Sequence, residues 1–114
     1  MHVDRATFED LVRQAMSAVP EPFARILERV AVVVEERTPP GDPDLYGLYI
    51  GAPFGHEETA FGVLPPRIAI YMHPLMDDCR THEELVEEVR VTLLHELGHH
   101  LGMDERRLSD LGYA

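Results

Sequence analysis

The sequence predicts one small domain, residues 1–114, that mixes helices with a few strands. Three observations carry that expectation. The length of 114 residues and an apolar fraction of 45% against 27% charged suit a single hydrophobic core and leave no room for a second. Two runs rich in β-branched and apolar residues, "VAVVVEE" and "RIAIYM", have the length of strands. A long run from Thr81 to Leu101 carries a capping box at its start and a glycine, Gly102, just past its end, which together mark a helix.

The elements follow in order along the chain. "TFEDLVRQAMSAV" places Phe8, Leu11, Val12, Ala15 and Val19 at helical spacing, with Thr7 as the expected N-cap and Asp10 three residues on, and Pro20 ends it. Pro22 stands where a second helix can begin, and "PFARILERV" reads as a short helical piece. Val30 to Glu36 is then either a buried strand or a continuation of that helix; its β-branched run favours the strand. From Thr38 to Pro66 proline and glycine are dense, so loop and turns are expected around one ordered piece, "LYGLYI". Arg67 to Met72 is the second strand, and "HPLMDDC" reads as the turn leaving it. After the long helix, "DERRLSDLG" can form a last short helix reaching Tyr113.

Composition narrows the function classes. The formal net charge is −11, which repels phosphate backbones and argues against nucleic acid as a partner. No apolar run approaches the roughly 18 residues of a membrane span, and the polar, acidic start "MHVDRATFED" does not resemble a signal peptide. The one cysteine, Cys79, rules out an internal disulfide and fits a cytoplasmic location. All ten basic side chains are arginine, there is no lysine or asparagine, and Gln14 is the only glutamine; this bias does not bear on function.

The long helix carries the chemistry. At about 100° per residue, Leu85, Val86, Val89, Leu93, Leu97 and Leu101 form one apolar stripe for the core. His95 and His99, four residues apart, stack one turn above the other on nearly the opposite side, beside Glu88 and Thr92, while Glu96 falls between the two faces. That is the disposition of H-E-x-x-H, two imidazoles converging on one metal with a carboxylate beside it as base. Gly98 is costly inside a helix by about 1 kcal/mol relative to alanine, so something is expected to pack closely against it.

Outside the motif the histidines and acids read as structural. His100 projects toward the apolar stripe, as a core histidine or a neighbour of the site. His73 is a turn residue, and His2, His56 and His82 are surface positions. Cys79 is an ordinary thiol, and Glu83, Glu84, Glu87 and Glu88 are a solvated face with Glu88 nearest the metal side.

The run His95-Glu96-Leu97-Gly98-His99, followed by Gly102 and Glu105, resembles the extended motif of the zincins, H-E-x-x-H-x-x-G-x-x-(His or Asp). In such a motif the glycine turns the chain so that the residue three further on closes the metal site. Here that position holds Glu105, which is in register. Asp104 has the expected chemistry one position early, so the third ligand is Glu105 or Asp104. With "LYGLYIGAPF", "LPPRIAIYMHPL" and the end "LGYA", the resemblance extends over most of the chain and points to the small bacterial zincin-like metallopeptidases, the minimal zincins.

The resemblance implies an α+β, zincin-like fold: a small twisted mixed sheet, an N-terminal helix, and an active-site helix packed under the sheet. It implies one Zn2+ per chain and hydrolysis of peptide bonds with Glu96 as general base. It also implies a peptide or protein substrate added to an exposed sheet edge, for which "RIAIYM" is the candidate. The resemblance also implies no C-terminal subdomain of the kind larger zincins carry, and the sequence has no methionine after Met103 to form a turn beneath the metal. Tyr113 either supports the site there or belongs to a plain surface tail. The alternative function is a catalytically weak or inactive zincin-fold protein that binds a metal or a partner. A homodimer is a further expectation.

Overall fold

The computed structural model describes residues 1–51 and 66–113. The expectation of loop and turns across 52–65, and the placement of His56, lie outside these residues. The architecture is α+β. Its elements are α1 (Arg5–Ser17), α2 (Phe23–Leu27), β1 (Ala31–Glu35), β2 (Gly47–Ile50), β3 (Arg67–Tyr71), α3 (Met72–Asp78), α4 (His82–His100) and α5 (Glu105–Asp110).

Helix α1 starts earlier than the expected Thr7 cap. Asp4 is the N-cap, its carboxylate accepting the Thr7 amide at 2.8 Å, so Thr7 lies inside the first turn. The expected apolar positions Phe8, Leu11, Val12 and Ala15 are all buried, and α1 packs along α4. Burial of a side chain the size of Phe8 stabilises the fold by about 1.5–3 kcal/mol, so this helix pair is a main support of the site.

The run after α2 is a strand, not a continued helix. β1 pairs in parallel with β3, Val33 opposite Ala69, and β2 pairs antiparallel with β3, Tyr49 opposite Ile68. Among the described residues the order is β1-β3-β2, a three-stranded mixed sheet. "RIAIYM" is therefore the central strand and not an edge. The reason is visible in its composition: Ile68, Ala69, Ile70 and Tyr71 are buried in succession, as in a strand covered on both faces. Among the described residues the edges belong to β1 and β2, and β2 is the edge that lies against α4.

The segment expected to turn after β3 instead forms helix α3 directly. Pro74 is its third residue, where a backbone N–H would have no partner in the helix and a proline does no harm. Met72, Leu75 and Met76 are buried against the rest of the core. Helix α4 keeps its expected bounds: Thr81 is the N-cap, its hydroxyl accepting the Glu84 amide at 3.0 Å. Leu94 is also fully buried, as is most of Thr92, so α4 is covered around more of its circumference than a single apolar stripe implies. Among the described residues no helix is long and apolar enough to cross a membrane.

Candidate metal centre

Two glycines set how closely other elements approach α4. A Cβ on Gly47 would lie 2.7 Å from Thr92 Cγ2, so β2 is seated hard against the middle of the helix. A Cβ on Gly98 would lie 2.3 Å from Leu108 Cδ2, so α5 folds back onto the helix's last turns. This is the close packing that a glycine within H-E-x-x-H implied, and the partner is Leu108, which is fully buried.

The turn between α4 and α5 is built for that return. Gly102 has φ +88°, its N–H donates to His99 O at 3.0 Å, and the Met103 N–H donates to Gly98 O at 2.9 Å. This is a Schellman ending, which satisfies the last carbonyls of the helix while reversing the chain. Asp104 then caps α5, its carboxylate accepting the Arg107 amide at 2.8 Å. Glu105, the first residue of α5, is left facing α4.

There three ligand-type atoms meet. Glu105 Oε1 lies 2.7 Å from His99 Nε2 and 3.3 Å from His95 Nε2, and the two Nε2 atoms are 3.1 Å apart. Zinc–ligand bonds of about 2.0–2.2 Å at tetrahedral angles set neighbouring donor atoms about 3.3 Å apart, so two imidazoles and one carboxylate at this spacing suit a zinc ion. The set faces solvent, with Glu105 the most exposed member. Of the two acids, Glu105 is the one brought to the histidines, and Asp104 has its carboxylate occupied at the helix cap.

The other nitrogen of His95 is also engaged. His95 Nδ1 is 3.3 Å from the carbonyl oxygen of Tyr113. A carbonyl can only accept, so this contact places the proton on Nδ1 and turns the Nε2 lone pair toward Glu105 and His99, the tautomer that a metal ligand requires. Tyr113 therefore meets the site through its main chain. Its ring packs edge-to-face on Phe23 of α2, centroids 5.9 Å apart, and its N–H donates to Leu108 O at 2.8 Å.

Glu96 stands on the flank of α4 facing β2. Its Oε1 accepts the Tyr49 N–H at 2.9 Å, which holds the carboxylate beside the strand and one residue from His95. Both side chains line a cleft of about 250 Å³ between α4 and the segment leading into β2. His100 does not enter the core; it is half-buried and stacks on the Tyr49 ring with centroids 3.6 Å apart, and burial lowers its pKa below the usual histidine value. Sequence reasoning alone misses Tyr49 and its contacts. The pairing with Glu96 spans 47 positions, and no local pattern signals it.

The remaining candidates lie elsewhere. His73 is in the first turn of α3, beside a groove with Glu36 and Arg37. His2 and His82 are exposed. Cys79 is buried, and burial, ahead of nearby carboxylates, pushes its thiol up to about 11, as for an unreactive thiol.

The family model of the zincin-like metallopeptidases matches residues 27–113. A solved structure of a conserved hypothetical protein from Thermus thermophilus is similar over 97% of this chain and 100% of its own, with 28% identity and a TM-score of 0.59. No protein of curated function matches.

Proposed function

Since the chain belongs to the zincin-like metallopeptidase family, we propose that it is a zinc-dependent peptidase in which His95, His99 and Glu105 hold the ion and Glu96 is the general base. The observation that carries this reading is the convergence of two Nε2 atoms and one carboxylate oxygen, with a second carboxylate on the adjoining cleft wall. Zinc, when bound, supplies Lewis-acid chemistry: it acidifies water toward neutral pH and polarises a carbonyl.

The chain's own residues do the rest. Glu96, fixed at one oxygen by the Tyr49 amide, takes the attacking water's proton on the other and returns it to the nitrogen of the leaving amine as the C–N bond breaks. Tyr113, through its carbonyl, keeps His95 in the ligating tautomer. The substrate lies in the cleft along β2, whose edge faces α4, in an extended form. A single buried thiol suits a reducing compartment such as the cytoplasm.

The test separates ligand from base. Glu96→Gln should bind zinc with wild-type stoichiometry and lose peptide hydrolysis by about 10²–10⁴-fold, and chelation should abolish turnover in the wild type. Normal turnover by Glu96→Gln contradicts the assigned base. Tight zinc binding with no turnover of any peptide by the wild type supports the metal- or partner-binding alternative.

A further inference from the structure

We propose that the cleft beside the metal centre selects a substrate with an arginine or lysine next to the cleaved bond, and that Glu88 reads its charge. This rests on the peptidase reading of the same site. Glu88 lines the cleft that Glu96 and His95 also line. It lies seven residues before His95 on the same helix, so the two share a face about 10.5 Å apart. An extended peptide advances about 3.3 Å per residue, so a long side chain from a residue flanking the cleaved bond spans that gap.

The lining matches such a side chain in two parts. Leu45, Tyr46 and Val91 offer apolar surface in the same cleft, on which the methylene stem of lysine or arginine can lie. Glu88 supplies a charge opposite to the head group. Its carboxylate has no ion-pair partner among the described residues, whereas Glu87 beside it is bound by Arg90 at 2.6 Å. The Tyr46 hydroxyl in the same cleft donates to Asp78, and that bond, then burial, then the nearby charges of Asp78 and Glu88 raise its pKa. The cleft, about 250 Å³, is below the usual 300–1,000 Å³ of a small-molecule site and has the scale of one side chain. A net charge of −11 adds long-range attraction for a basic peptide.

The experiment uses the zinc-loaded full chain and fluorescent hexapeptides that differ at one position flanking the central bond, carrying arginine, norleucine or glutamate. The wild type should favour arginine over norleucine by about ten- to a hundredfold in kcat/KM, as expected for a charge-assisted hydrogen bond. Glu88→Gln should bring that ratio close to one, Glu88→Arg should shift preference toward the glutamate peptide, and Glu87→Gln should keep the wild-type ratio. Equal handling of arginine and norleucine by the wild type, or an unchanged ratio in Glu88→Gln, overturns the role of Glu88. If no peptide is cleaved, the peptidase reading fails by itself; dissociation constants of the same peptides then supply the same ratio and test Glu88 in the same way. Binding of none of them overturns both.

Discussion

Gly98 and Leu108 show how single residues set the site. The missing Cβ at Gly98 admits a fully buried leucine from α5, and α5 carries Glu105. Gly98→Ala would gain about 1 kcal/mol of helix propensity, but the added methyl meets a side chain that cannot swing into solvent, and overpacking of this kind costs about 1–3 kcal/mol. Denaturant unfolding should therefore show a net loss of stability in Gly98→Ala. Leu108→Ala alone should lose about 2–5 kcal/mol. The two changes share one space, so the double variant should be more stable than the sum of the singles by about 1 kcal/mol or more; strict additivity would contradict the contact. Much of this is legible in the sequence: a glycine inside a strongly patterned helix signals a close neighbour, although not which one. Glu105 over Asp104 is not decidable there, because the choice depends on Asp104 serving as the N-cap of α5, a role that an acid next to a short helix can either take or leave.

At the scale of elements, three pieces of chain meet around the last turns of α4: β2 through Tyr49, α5 through Leu108 and Glu105, and the C-terminal residues through Tyr113. The tail works as a latch on His95, held by its ring on Phe23 and its N–H on Leu108. Tyr113→Gly keeps the carbonyl but removes the ring that anchors it. Zinc affinity should fall by about 10–100-fold, the usual effect of losing a partner behind a metal-binding histidine, while circular dichroism stays that of the wild type. Unchanged affinity would mean that the tail carbonyl does not orient His95. Helices α1 and α4 and strand β1 follow from periodicity and β-branching. The run of β3 reads plainly as a strand; its central place is the part that pattern alone does not reveal, although four successive apolar residues suit a centre better than an edge. Helix α3 is hidden by Pro74, which reads as a turn until its place in the first helical turn is known.

Across the whole molecule, the core and the metal centre are largely separate. The buried cluster runs from Phe8 and Leu11 through Ile68 and Ile70 to Leu85, Val89 and Leu93, whereas His95, His99 and Glu105 gather at the surface. The metal-free chain should therefore remain folded, unlike small domains whose folding depends on zinc. Added zinc at about 100 times its dissociation constant should still stabilise it by about 2.7 kcal/mol, read as a rise in Tm that chelation reverses. Loss of cooperative unfolding on chelation would place the ion within the fold itself.

The zinc site is the claim on which the rest depends, and zinc titration of four purified chains tests it most directly: wild type, His99→Ala, Glu105→Ala and Asp104→Ser, the last keeping a capping side chain. The expected result is one tightly bound zinc in the wild type and in Asp104→Ser, and a large loss of affinity in His99→Ala and Glu105→Ala. Wild-type affinity in Glu105→Ala, or its loss in Asp104→Ser, would contradict the proposed ligand set.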